Sequence, residues 1–115
     1  MNNVLFHIAA AADWRASGET YASPHFETEG FIHCSTPGQL EGVAQRRFRG
    51  RDDLLVLSID PTRVRAPIRY ENLEGGREQF PHIYGPLNVD AIVEKRALRV
   101  SADGKLTFSG EPSGV

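Results

Sequence analysis

Residues 52–60 read DDLLVLSID. A run of strand length that is apolar but for Ser58, closed at both ends by acidic residues, has no polar face to turn to water, so this is the clearest buried strand in the chain and the fold must be built around it. A second strand is predicted at NVLFHIA, residues 3–9, where Leu5 and His7 alternate with Val4, Phe6 and Ile8. Apolar side chains on both of its faces suit a strand covered on both sides, inside a sheet.

The elements between and after these strands follow from local signals. The alanines before Asp13, Trp14 and Arg15 favour a short helix that Gly18 would stop, with Trp14 as its core anchor. Residues 18–30, GETYASPHFETEG, are polar and broken by Pro24, and read as a flap. GFIHCS, residues 30–35, is strand-like, and Thr36 followed by Pro37 is the preferred order of N-cap and first helical residue. The helix that follows, TPGQLEGVAQRRFRG, spaces Leu40, Val43, Ala44 and Phe48 on one face and places Arg46, Arg47 and Arg49 near its end. Those arginines read as partners of the helix dipole, with recognition of an anionic ligand as the sharper alternative.

Residues 61–64, PTRV, turn the chain toward a strand near PIRYENL that is expected to neighbour the 52–60 strand. EGGREQFPHIYGPL is punctuated by glycine and proline, AIVEKRALRV alternates as a strand does, and SADGKLTF is a hairpin signal through Asp103 and Gly104. The order of strand, helix, strand, helix and then several strands predicts an α+β fold with a small, mostly antiparallel split sheet and two or three short helices, since a doubly wound fold would keep alternating to the end. Trp14, Phe48, Leu55 and Leu57 are the expected core, with residues 1–109 as one domain and 110–115 as a frayed tail.

Composition narrows the function. The chain has 115 residues, 13 basic against 15 acidic, and a formal charge of −2, which argues against nucleic acid as the main partner. The single Cys34 has no internal disulfide partner, the N-terminus lacks the pattern of a signal peptide, and no apolar stretch reaches the length of a membrane span, so a cytoplasmic protein with no membrane partner is expected.

Three histidines, His7, His33 and His82, fall in or beside predicted strands. Imidazole exchanges protons near neutral pH and can orient a ligand, although a buried histidine satisfied by backbone carbonyls is the plain alternative for each. Zinc finds no support, because the three are far apart, no H-E-x-x-H or C-x-x-C occurs, and Cys34 points away from His33 on a strand, so no metal is expected. The same opposition, and the packing role usual for a lone buried cysteine, count against a cysteine nucleophile. Alternation instead aligns Phe31, His33 and Ser35 on one face, an aromatic surface with an acid–base group and a hydroxyl, while Ser35 also has the simpler role of helping to cap the next helix. Gly75 and Gly76 lack a phosphate-loop context and mark a turn.

The segments LFHI, GFIHCST, LLVLSID, IRYENLEGGREQFPHIYGPL and SADGKLTF together resemble the small bacterial family known as domain of unknown function 952, over nearly the whole chain. That resemblance implies a reduced ADP-ribosyltransferase-like fold, with NAD or another nucleotide as ligand or substrate and an activity of ADP-ribosyl transfer type. In such a fold His7 would correspond to the strand histidine that reads the nicotinamide ribose, with FIHCST as a looser second element. The third element usually supplies a glutamate. FPHIYGPL has none within it and offers His82 and Tyr84, with Glu71 upstream and Glu94 downstream. The resemblance thus implies a shared cleft with His7, His33, His82 and Glu71 in catalytic roles and Phe31, Ser35 and Tyr84 as ligand contacts. A non-catalytic ligand- or partner-binding module is the alternative, and an RNA 2'-phosphotransferase-like enzyme a further one.

Overall fold

The computed structural model describes residues 4–14, 16–17, 20–22, 26–72 and 75–109. In chain order the elements are β1 (Leu5–Ala10), a 3-10 turn at Ala11–Asp13, β2 (Ala16–Ser17), β3 (Thr20–Tyr21), α1 (Phe26–Glu29), β4 (Ile32–His33) and α2 (Leu40–Arg47). They continue with β5 (Leu54–Ile59), a 3-10 turn at Pro61–Arg63, β6 (Ile68–Glu71), β7 (Phe80–Ile83), β8 (Leu87–Asn88), a 3-10 turn at Val89–Ala91, β9 (Ile92–Val100) and β10 (Leu106–Ser109). The strands form a four-stranded sheet β1-β5-β9-β10 and two three-stranded sheets, β4-β7-β6 and β2-β3-β8, with antiparallel neighbours throughout. The α+β class with mostly antiparallel sheets is therefore as the sequence predicts.

The apolar run of β5 is sandwiched as its composition demands. Leu54 and Val56 face one cluster with Leu40 and Ala44 of α2 and Leu98 and Val100 of β9. Leu57 and Ile59 face the other, with Leu5, Tyr21, Ile32, Cys34, Ile83 and Leu87, so the small sheets cover the face that α2 does not. β1 follows the same rule, with Leu5, His7 and Ala9 buried on the side of the small sheets and Phe6 and Ile8 half-buried toward α2.

Several expectations are corrected. β1 is an edge of its sheet, beyond which a single antiparallel bridge joins Phe6 to Ser35, with Phe6 N donating to Ser35 O at 2.8 Å and Ser35 N to Phe6 O at 2.7 Å. GFIHCS contributes only two residues to a strand, at the edge of a small sheet, because its chain leaves β7 to make that bridge. β6 does not neighbour β5, whose second flank is taken by the nine-residue β9; the longer strand offers more ladder hydrogen bonds than the four-residue β6.

Around Trp14 the expected helix is a three-residue 3-10 turn, held where Ala11 N donates to the Asp53 carbonyl at 2.7 Å. Trp14 is half-buried, its indole 5.0 Å from the Tyr21 ring with the Lys95 ammonium 4.8 Å over it. Phe48 and Leu55 are likewise half-buried, while Leu57 is fully buried. The expected flap holds β3 and α1, and Tyr21 within it is fully buried; Gly18 and Pro24 lie outside the described residues, as does the tail from 110 onward.

α2 starts later than Thr36-Pro37 suggests. The Thr36 carbonyl accepts from Gln39 N and Leu40 N, and the Gln39 side chain accepts from Thr36 N at 3.0 Å, so glutamine completes a reciprocal cap across the turn before the helix. The helix closes at Phe48, whose N–H donates to the Ala44 carbonyl; Gly50 beyond it has a φ of +82° that suits only glycine cheaply, and Gly104, at +90°, turns the β9–β10 hairpin where Asp103-Gly104 predicts it.

The two faces of β5 give a direct test. Leu57→Ala should lower the unfolding free energy by about 2–5 kcal/mol, and Leu55→Ala by clearly less, since its side chain keeps contact with water. Urea denaturation of the two variants measures this, and equal losses would contradict the packing described.

Candidate functional site

The sheet β4-β7-β6 has one apolar and one chemical face. Ile32 pairs with Ile83 and Ile83 with Ile68, and these side chains turn into the core. One residue along, His33 pairs with His82 and His82 with Arg69, and alternation sends these to the other face. Phe31, Phe80 and Tyr84 share that face with Glu71, which lies diagonally across from His82. Pro81 is tolerated inside β7 because its carbonyl is used, accepting from Cys34 N at 3.0 Å, where β4 has ended and no strand donor is needed.

The rings on this face are in contact. Phe31 stacks on His82 with centroids 4.4 Å apart and planes at 22°, and His33 meets His82 edge-on at 5.2 Å. Phe31 also touches His33 at 4.8 Å and Tyr84 at 5.2 Å, and the Arg69 guanidinium lies 5.1 Å over the Tyr84 ring. Each histidine has a carboxylate. His82 Nδ1 donates to Glu71 Oε2 at 2.9 Å, and the Tyr84 hydroxyl donates to the same oxygen. His33 Nε2 donates to Glu29 Oε1 at 2.7 Å, and both of these groups are exposed.

The Tyr84 hydrogen bond first, and the His82 bond next, hold the Glu71 carboxyl below the usual glutamate range. The same bond to Glu71 raises the Tyr84 phenol above its ordinary value, so it remains a donor. With Nδ1 committed as donor to Glu71, the neutral His82 ring presents Nε2 as a lone pair, which has no protein partner among the described residues.

His7 sits differently. Its Nδ1 donates to the His33 carbonyl at 2.6 Å and its Nε2 accepts from the Tyr21 hydroxyl at 3.1 Å, inside the core. Burial above all, then Asp13 and Cys34, pushes the Tyr21 phenol up to about 12, so it stays protonated and donates. Thus His33 and His82 come together with Phe31, Tyr84 and Glu71, and His7 lines the same cavity while its ring nitrogens are engaged by the His33 carbonyl and the Tyr21 hydroxyl. Glu94 is across β9 from Ser58, in the other sheet.

A cavity of about 530 Å³ opens between this face and α2. Its walls include Phe31, His33, Glu71, Phe80 and His82 on one side and Val43, Arg46, Arg47 and Phe48 on the other, with Phe6, Ser35 and Cys34 along its floor. Ser35 is buried there and its backbone makes the bridge to Phe6. Cys34 touches the cavity although its neighbours alternate away from it; burial raises its thiol pKa, which keeps it an inert thiol. Among the described residues no group of three or more His, Cys, Asp or Glu is placed to hold a metal ion, and no helix is long and apolar enough to cross a membrane.

Sequence reasoning missed Glu29, Arg69 and Phe80, and left Arg46 and Arg47 undecided. One signal was present: Phe31-x-His33-x-Ser35 and Phe80-x-His82-x-Tyr84 are parallel patterns of period two, and the register lays them side by side.

A folded pKa below the unfolded one means that the Glu71 carboxylate contributes stability above the ordinary glutamate range, and that this contribution is lost as the pH falls through the depressed value. Tyr84→Phe removes the largest cause, so Glu71 should titrate closer to an ordinary glutamate. Carbon NMR of the labelled carboxyl reads this directly, and an unchanged titration would show that the Tyr84 bond is not what holds it down.

The model of a family described as protein of unknown function (DUF952) matches residues 6–95, from the bridge residue Phe6 to Lys95 and across both Phe-x-His segments. Among solved structures, the crystal structure of protein CC0527 from Caulobacter crescentus is similar at 29% identity, over 90% of this chain and 93% of that one, with a TM-score of 0.76; a doubly substituted form gives the same figures. The solution NMR structure of CC0527 is 30% identical over 89% of this chain and 90% of that one, with a TM-score of 0.73. Among curated proteins there is no match. Since the matched segment covers well over half of the sequence, the chain belongs to the DUF952 family.

Proposed function

We propose that the cavity between the β4-β7-β6 sheet and α2 binds a small ligand of nucleotide class, with NAD the first candidate substrate, and that His82 exchanges a proton with it. The observation that carries this reading is the setting of the His82 ring, which lines the cavity while its Nδ1 is hydrogen-bonded to Glu71 at 2.9 Å. A base held in one tautomer by a carboxylate is the arrangement that general acid–base catalysis uses. The cavity of about 530 Å³ falls within the range of small-molecule sites, and Phe31, His33 and Phe80 offer it flat aromatic surfaces.

An ADP-ribosyltransferase-like fold belongs to the same reading, supported by antiparallel strands split into sheets with the cavity at their junction. The roles differ from those the resemblance implies. His7 lines the cavity with both ring nitrogens engaged, so polar contact with the ligand falls to His33 and His82. Glu71 orients the His82 imidazole, in place of a glutamate acting on the ribose. An RNA substrate draws less support, given the formal charge of −2.

Incubation with NAD, followed for nicotinamide release and titrated for binding, tests the proposal. The wild-type chain should release nicotinamide, and His82→Gln, which keeps a donor for Glu71, should be slower by about 10²- to 10⁴-fold. Saturable binding without release would reduce the protein to a ligand-binding module, and the absence of both, with NAD and with mononucleotides, would end the proposal.

A further inference from the structure

The three arginines near the end of α2 are not equivalent. Arg49 Nε donates to the Gln45 carbonyl at 3.3 Å, serving the helix end in the ordinary way of a basic last turn. Arg46 and Arg47 line the cavity. Arg46 makes no ion pair or hydrogen bond among the described residues, and its Nη1 lies 3.2 Å from where a Cβ on Gly42 would stand. Glycine is a poor helix former, yet Gly42 occupies the first turn of an eight-residue helix, and its visible consequence is the room it gives that guanidinium.

We propose that Arg46 is the phosphate-reading residue of the cavity and that Gly42 is the positioning residue that seats its guanidinium. The ligand is therefore a phosphorylated small molecule, lying with its anionic end at α2 and its ring end at Phe31 and His82. This rests on the ligand site proposed above and names the class of compound it takes. The planar fork of a guanidinium matches the oxygens of a phosphate and stays charged at every physiological pH.

The other charges on the walls agree with that polarity. Glu29 is hydrogen-bonded to His33, and Glu71 to His82 and Tyr84, so the carboxylates on the sheet side have donors of their own. They repel an anion from the sheet side and leave the α2 side as its place. Arg46 is then a cation on the wall with no counter-ion among the described residues, across the cavity from the His82 ring.

Two probes separate this inference from the functional reading: inorganic pyrophosphate, which has no ring, and adenosine, which has no phosphate. In NMR titrations at about 0.1 M salt, where fields between exposed charges are screened beyond roughly 10 Å, pyrophosphate should bind the wild-type chain. Arg46→Gln should weaken that binding about tenfold or more, the worth of a hydrogen bond to a charged group. Arg49→Gln, an identical change of net charge, should leave it unchanged. Gly42→Ala should weaken it by less while the thermal midpoint holds or rises, since alanine favours the helix. Adenosine binding should be the same in all of these.

Absence of pyrophosphate binding, or equal losses in Arg46→Gln and Arg49→Gln, would overturn the phosphate assignment whatever adenosine does. A lower midpoint in Gly42→Ala would give Gly42 a packing role and remove it from the proposal. Pyrophosphate binding without adenosine binding would uphold the anion site and count against the nucleotide reading alone.

Discussion

The bridge between Phe6 and Ser35 is the contact on which the site depends. Among the described residues its two hydrogen bonds are all that carries backbone pairing from the four-stranded sheet, through its edge at β1, to the β4-β7-β6 sheet. His7, the next residue, reinforces the join from the other side of the strand, donating to the His33 carbonyl and accepting from Tyr21. A buried imidazole left unsatisfied would be costly, so both of its bonds favour one arrangement of β1, β3 and β4. The histidine placed most like a ligand reader in the sequence lines the cavity and is also a fastener, holding His33 by the backbone while leaving the His33 ring outward.

From that junction onward, register does the rest. Because side chains alternate with a period of two, the pairing that buries Ile32, Ile83 and Ile68 is the same pairing that lines up His33, His82 and Arg69 on the opposite face. A slip of one residue would turn the histidines into the core and the isoleucines into the cavity. The hydrophobic effect on one face therefore specifies the chemistry on the other, and the site needs no separate device to assemble it. Leu57 and Ile59, from the central strand, supply the apolar surface against which that choice is made.

Much of this was legible in the sequence, and the failures have physical causes. The run at 54–59, the β9–β10 hairpin and the alternation of Phe31, His33 and Ser35 are local signals that the structure keeps. The strand at Phe80–Ile83 was obscured by Pro81, which is admissible only because the neighbouring strand ends beside it, a fact of tertiary structure. The pairing of β5 with β9 instead of β6 is a choice between distant partners that neither sequence marks. The 3-10 turn before Trp14 replaced a helix because a hydrogen bond to Asp53, some forty residues away, anchors its first residue. Glu71 could be named as an available carboxylate, but its place beside His82 and Tyr84 depends on a β6–β7 register that composition does not reveal. Arg46 and Arg47 were ambiguous for the same reason, since facing a cavity and completing a helix end look alike in sequence.

The two histidine–carboxylate pairs are unequal, and the inequality divides the work of the site. His33 and Glu29 are 45% and 42% exposed, so their attraction is screened by water and contributes little to stability. Such a pair can be exchanged for contacts to an entering ligand at small cost. His82 is only 5% exposed, packed under Phe31, and shares Glu71 with the Tyr84 hydroxyl. Moving it would unstack a ring and leave a buried nitrogen without its acceptor, which costs far more than parting two solvated charges. The outer pair is thus adaptable and the inner one preorganised. The ligand reading proposed above draws on both, since the first pair can yield to an entering molecule while the second holds its geometry.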